Sequence, residues 1–196
     1  MQPKTEPPFQ LWDRRFCLFS YNRLHCILNE TQYHEGMQMN IIFWAFVVAA
    51  CIHVVEEYFF PGGFLETVKR FNPRIAPFAT VRFTVLINGL FLVLCLVGAI
   101  VARQNLIFSL SIAGLLLVNA LTHLGGTIKM KRYVPGVVTS LLLYLPLSLY
   151  AYYSFGMARQ ITLAEGAITI IIGALYQAIP MGYLAAAGIL KSRRKS

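Results

Sequence analysis

Five apolar runs, at Ile41–Phe60, Thr80–Ala102, Leu106–Leu124, Val134–Tyr153 and Ile161–Leu190, constrain this chain more than any other feature. Each has about the 20 residues that a helix needs to cross roughly 30 Å of hydrocarbon. Hydrocarbon offers backbone N–H and C=O groups no water, so each run must satisfy them internally, as a helix does. The expected fold is therefore all-α, a polytopic transmembrane bundle of about five helices. Arg103-Gln104-Asn105 leaves room only for a tight antiparallel hairpin between the second and third runs. Pro180 supplies a cause for a bend in the long fifth run. With 57% hydrophobic and 13% charged residues among 196, the chain is too apolar for an ordinary soluble domain.

Three regions are expected along the chain. Residues 1–39 form a polar leader, interfacial or unstructured, and residues 40–190 the bundle; residues 191–196 are a basic tail. The leader lacks the continuous apolar core and cleavage site of a signal peptide, although Phe9 to Leu28 suits an amphipathic surface helix. Whether it belongs to the native protein is open, because Met37 and Met39 stand just before the first run. Asn29-Glu30-Thr31 matches a glycosylation sequon, a short pattern that arises often by coincidence. Cys17, Cys26, Cys51 and Cys95 show no paired spacing, which argues against a structural disulfide.

The net charge of +9 comes from short basic clusters between the apolar runs, where lipid headgroups lie, and so points to membrane lipids rather than nucleic acid. With the C-terminus cytoplasmic, that side holds 11 of the 17 basic residues, among them Lys129, Lys131, Arg132 and Arg194. The positive-inside rule then puts the C-terminus in the cytoplasm, most naturally in a bacterial inner membrane.

Against this background Cys51-Ile52-His53-Val54-Val55-Glu56-Glu57-Tyr58 stands out, with an imidazole and two carboxylates at the end of a membrane-length run. Each ionisable group at that depth costs several kcal/mol unless it is paired, ligated or functional. Spacings of i, i+3 and i+4 put all three on one side of a helix, while adjacent Glu56 and Glu57 point about 100° apart and so serve different ends. Threading the other runs with the same orientation brings Asn88, Asn119, His123, Thr139, Ser140 and Tyr144 to similar depth. The outer halves of these helices are apolar, so one polar chamber near the cytoplasmic leaflet is the economical arrangement.

Two histidines and two carboxylates on two helices match the inventory of a metal site. His53, His123 and Glu57 would bind one divalent ion, Zn2+ or alternatively Fe2+, leaving a fourth position open. Glu56 would act as general acid or base, with the two glutamate roles exchangeable, and Asn119 would anchor substrate. Asn88, Thr139, Tyr144 and Arg132 are candidates to support the ligands or contact substrate. A di-iron carboxylate site fits less well, because helices two to four carry no intramembrane acid. The plainer alternatives are ion pairs from the glutamates to Arg82 or Arg132, and Asn88-Gly89 as a helix-packing contact.

His53-Val54-Val55-Glu56-Glu57, followed by Asn119, His123, Arg132-Tyr133-Val134-Pro135-Gly136 and Thr139, resembles the HxxEE-motif family of small, mostly bacterial membrane proteins. The resemblance covers about Asn40 to Leu190. It implies that His53, Glu56, Glu57, Asn119 and His123 are the family's marked positions, with a metal-binding or enzymatic role suspected and no reaction assigned.

The reading that follows is a metal-dependent membrane hydrolase acting on a lipophilic small molecule. The alternatives are a metal-free acid–base isomerase or cyclase of a lipid or isoprenoid, and a carrier or accessory subunit without chemistry. A carrier needs a polar path across the membrane, which the apolar outer halves do not supply. Topology reporters fused at Ser196 and in the loop at Arg103 should fall in opposite compartments, the former cytoplasmic; a shared compartment would remove the common-depth argument.

Overall fold

The computed structural model of the protein describes residues 41–193 other than Asn72 and Arg74. The expectations placed on the leader, including its cysteines and sequon, and on Arg194–Ser196 lie outside the described residues. The described residues form six helices and no strand. We number them α1 (Ile41–Phe59), α2 (Phe64–Phe71), α3 (Val81–Val101), α4 (Leu106–Met130), α5 (Val137–Met157) and α6 (Leu163–Arg193). All but α2 are long and apolar enough to cross a membrane, so the chain is an all-α bundle of five membrane-length helices.

Side chains fix the starts of three of these helices. The Thr80 hydroxyl and the Asn105 carbonyl accept from the N–H groups of Phe83 and Phe108, at 3.2 and 3.0 Å, each satisfying a donor that its own helix cannot. Thr162 and Glu165 form a reciprocal capping box: Glu165 accepts from Thr162 N at 2.7 Å, and Thr162 Oγ1 accepts from Glu165 N at 3.2 Å. Glu165 thus owes its place near a membrane boundary to helix initiation. The helix α4 runs six residues beyond its apolar run and ends where Lys131 turns left-handed at φ 49°. His123 therefore lies two turns inside the helix, which continues through Gly125-Gly126.

The helix α4 is the hub, packing against α3, α5 and α6. Small residues permit this. A Cβ on Gly114 would sit 2.6 Å from the Thr169 carbonyl oxygen, and one on Gly173 would run into the α4 backbone at Gly114 and Leu115. Where hydrocarbon removes the hydrophobic drive between helices, such backbone approach supplies the dispersion contacts that hold them together. Polar ties add to it: Ser109 donates to the Gly98 carbonyl at 2.7 Å, and Tyr152 OH lies 3.0 Å from Thr169 Oγ1.

The helix α5 is not a regular α-helix. After one turn, Ser140–Tyr144 adopt π geometry, with Leu145 N donating to Ser140 O before α-helix resumes to Met157. Pro146 gives the cause. It has no N–H for the Leu142 carbonyl, and its ring crowds that carbonyl, so the ladder takes up an extra residue.

Gly173→Val is expected to force α4 and α6 apart, costing on the order of 2 kcal/mol by overpacking. Thermal unfolding in detergent measures this, and an unchanged midpoint would contradict the close approach.

Candidate metal centre

His53, Glu56 and Glu57 all point into the bundle, with side chains 2–3% exposed. The 100° step between the two glutamates turns Glu57 toward α3 and α4, and Glu56 toward the start of α5. They have no partner in common.

Glu57 Oε1 lies 3.4 Å from His53 Nε2 and 3.3 Å from His123 Nε2, so two helices deliver imidazoles to one carboxylate oxygen. The two rings meet edge to face, with centroids 4.9 Å apart. Glu57 Oε2 accepts from Asn88 Nδ2 on α3 at 2.9 Å, which fixes the plane of the carboxylate. Asn88 is thus a polar contact to the site and not only a packing residue. Neither glutamate takes the ion pair to Arg82 or Arg132 that the sequence left open. Among the described residues Glu57 is partnered by His53, His123 and Asn88, and Glu56 by Tyr133, Val138 and Thr139.

Glu56 is saturated. Oε1 accepts from Tyr133 OH at 2.6 Å and Val138 N at 3.1 Å; Oε2 accepts from Thr139 N at 2.7 Å and from the Thr139 hydroxyl. The Tyr133 phenol, in the loop between α4 and α5, is raised above its ordinary pKa by desolvation and then by Glu56 itself, and so remains a donor. Four donors fill the capacity of a carboxylate.

Those bonds settle a proton elsewhere. Thr139 Oγ1 has one hydrogen, drawn to the Glu56 carboxylate, so its 2.8 Å contact with His53 Nδ1 has the imidazole donating. With the proton on Nδ1, Nε2 of a neutral His53 carries a lone pair, and that atom is buried with no hydrogen-bond partner. It faces the Glu57 oxygen. Two acceptors 3.4 Å apart in a buried site repel unless a cation or proton lies between them.

Local backbone geometry makes room for this arrangement. Gly136 sits at φ 94°, and a Cβ there would stand 2.5 Å from His123 Cε1 and 2.8 Å from His53 Cε1. Tyr144, fully buried, lays its ring 4.5 Å from that of His53. In an uninterrupted α-helix, positions 139 and 144 would point about 140° apart. The π turn brings both onto His53.

His53, Glu57 and His123 line one end of a cavity of about 600 Å³, within the usual range for small-molecule sites, and most of its remaining wall is apolar. Glu56, Thr139, Tyr144 and Arg132 do not line it. Arg132 is exposed. Asn119 does line it, one turn from His123, with Nδ2 directed at Gln177 Oε1 at 3.4 Å and Oδ1 buried without a partner. The described residues include one group able to hold a metal ion, His53, Glu57 and His123, whose ligand atoms lie within 4.8 Å of one another. The sequence reading missed Tyr133, Gly136 and Gln177 as participants. For the first two a signal existed, in Tyr-Val-Pro-Gly three residues before Thr139; Gln177 was legible only as an amide inside an apolar run.

A family model described as a protein of unknown function with HXXEE motif matches residues 44–151, and the chain belongs to that family. No curated protein and no solved structure matches the chain.

Gly136→Ala should destabilise the protein by at least about 1–2 kcal/mol, through positive φ and the two imidazoles, while Gly125→Ala, with open space around it, should be neutral or slightly stabilising. Thermal unfolding in the presence of chelator compares the two, and equal effects would count against the crowding of the histidines.

Proposed function

We propose that the protein is a metal-dependent membrane hydrolase whose centre is His53, His123 and Glu57 and whose substrate is lipophilic. One observation carries the metal: His53 Nε2, whose ring donates from Nδ1 to Thr139, is buried without a hydrogen-bond partner and faces a carboxylate oxygen. Two of the three ligand spacings fit as well. Ligands about 2.0–2.1 Å from a tetrahedral ion stand roughly 3.3 Å apart, and the two Nε2–Oε1 separations are 3.4 and 3.3 Å. Two imidazoles and one carboxylate suit Zn2+, with Fe2+ as the alternative, and leave a coordination position toward the cavity.

Such an ion would polarise a carbonyl and acidify water. The chain supplies the rest. Asn88 holds Glu57 in plane, and Glu56 acts through Thr139 as a positioning residue, since its four hydrogen bonds and its place outside the cavity leave it no route to substrate. This departs from the division in which Glu56 was the acid or base. Glu57 Oε2 accepts one hydrogen bond, from Asn88, and has capacity for a proton. In ester or amide hydrolysis it would take that proton from water as the water oxygen bonds to the carbonyl carbon, then pass it to the departing alcohol or amine as the old bond breaks. Asn119 and Gln177 would engage a polar group of the substrate beside that carbonyl.

The metal-free reading, an acid–base isomerase or cyclase, draws on the 3.3 Å contact of His123 with Glu57, which suits an N–H donated to a carboxylate. The two readings differ in metal content. By the positive-inside argument the centre lies toward the cytoplasmic leaflet, with the C-terminus on that side.

Protein purified without chelators should carry about one equivalent of metal, and His123→Ala should lose most of it, because one of three ligands is gone. Thr139→Val should weaken metal affinity by about 10- to 100-fold, and Thr139→Ser should restore it. Elemental analysis and competition with a chromophoric chelator provide the readings. A metal-free protein that turns over substrate would replace the hydrolase with the acid–base enzyme, and a Thr139→Val protein that binds metal normally would remove the role given to Thr139.

A further inference from the structure

The cavity is bounded differently on its different sides. Toward one end it is covered by α2, whose Phe64, Thr67, Val68 and Phe71 line it at spacings of 3, 4 and 7. Glu66, Lys69 and Arg70 occupy the other face of α2, with a 3.0 Å ion pair between Lys69 and Glu66. Lys129 of α4 lies over the Phe71 ring at 4.1 Å and ties the short helix down. An amphipathic helix in this attitude turns its polar face to water and its apolar face to the cavity, and so closes the aqueous side.

The flank between α3 and α6 is open. Leu86 and Leu90 of α3 and Ile179 of α6 line the cavity, yet they are 60%, 56% and 67% exposed. Residues that face both a cavity and the outside mark an opening. Both helices are of membrane length, and the outward residues beside the opening, Val85, Val93 and Leu175, are apolar. The opening therefore gives onto hydrocarbon. At the end nearer α2 it is bounded by Phe83 stacked on Tyr183, with ring centroids 5.8 Å apart and planes 19° from parallel. Along α3 the lining extends from Phe83 to Leu94, about 16 Å at 1.5 Å rise per residue.

From this we infer that the site takes a membrane amphiphile directly from the bilayer, its hydrocarbon chain entering sideways between α3 and α6, and its carbonyl group reaching His53, Glu57 and His123. The inference rests on the proposed function for the carbonyl chemistry, but not for the entry of the chain. Next to the centre, Asn119 lines the cavity with its Oδ1 buried and unpartnered, and Gln177 lines it too. Unless it is satisfied, a buried amide oxygen costs free energy. It selects a substrate with an N–H or O–H near the carbonyl, such as an N-acyl amine or a hydroxylated acyl lipid, over a plain hydrocarbon ester. Entry of the amphiphile depends on no route through water.

The test uses the full chain in phosphatidylcholine nanodiscs with an N-acyl ethanolamine that carries a diazirine in its acyl chain. After illumination, peptide mass spectrometry locates the adducts. Leu115 lines the cavity and is 3% exposed, so a probe confined to the outer surface does not reach it. The expected result is an adduct at Leu115 in the unaltered protein, lost in the Leu90→Trp/Ile179→Trp double variant and retained in Val93→Trp/Leu175→Trp, which adds the same bulk to exposed positions outside the cavity wall. The Asn119→Leu variant should bind the N-acyl probe more weakly relative to a methyl ester of the same chain. Adducts restricted to outward residues, or an unchanged Leu115 adduct in the Leu90→Trp/Ile179→Trp protein, would overturn lateral entry. Equal preference in Asn119→Leu and the parent would overturn the choice of substrate class. His123→Ala separates this from the metal reading: it should lose metal and keep the Leu115 adduct, so failure of either idea shows without the other.

Discussion

Glu57 sets the terms for the rest of the molecule. A carboxylate that is 3% exposed near one end of a membrane-length helix has lost its hydration, and that loss is recovered only from groups the fold can hold in place. Three helices meet there: α3 donates Asn88, α4 brings His123, and α1 sets His53 one turn before, where a cation or proton between Nε2 and the carboxylate would complete the set. None of these contacts is local except the last. The relative positions of α1, α3 and α4 are thereby tied to one side chain, and the close packing of α4 on α6 through Gly114 and Gly173 gives that side chain a rigid frame.

The saturation of Glu56 has the opposite logic. A charge that accepts four hydrogen bonds, two from backbone N–H groups at the start of α5, is a structural anion placed where a helix begins and where its dipole favours negative charge. It docks α5 on α1 and orients the Thr139 hydroxyl. The pair Glu56-Glu57 thus divides into one carboxylate that organises and one that faces the cavity, although the two are adjacent in sequence.

Much of the fold was legible in the sequence, because a bilayer permits few solutions for an apolar run of 20 residues and the runs are cleanly separated. Ends were less legible. Gly125-Gly126 looks like a stop, yet nothing crowds Gly125 and α4 continues to Met130; Val134 looks apolar enough to start a helix, yet Pro135-Gly136 makes a turn first. The grouping of His53, Glu57 and His123 followed from depth and helical spacing, both one-dimensional quantities. What could not be read was direction around the helix axis. That Glu56 meets Thr139 while Glu57 meets His123 depends on where α4 and α5 lie about α1, and that is set by glycine contacts and a π turn. The short helix α2 escaped notice because eight residues with three charges carry no membrane signal.

The π turn in α5 shifts by one residue every side chain that precedes it relative to those that follow. Thr139 lies before it and Tyr144 at its end, and both address His53 from one side only because the helix contains that extra residue. The register is enforced by Pro146, which does not line the cavity and presents itself in the sequence as an ordinary helix-breaking residue. Among chains of this length and pattern, the one with proline at that position and the one without it would present different residues to the same imidazole while remaining alike in hydropathy. A kinship judged by apolar pattern alone would therefore group proteins whose centres are wired differently, and the imino acid tells them apart.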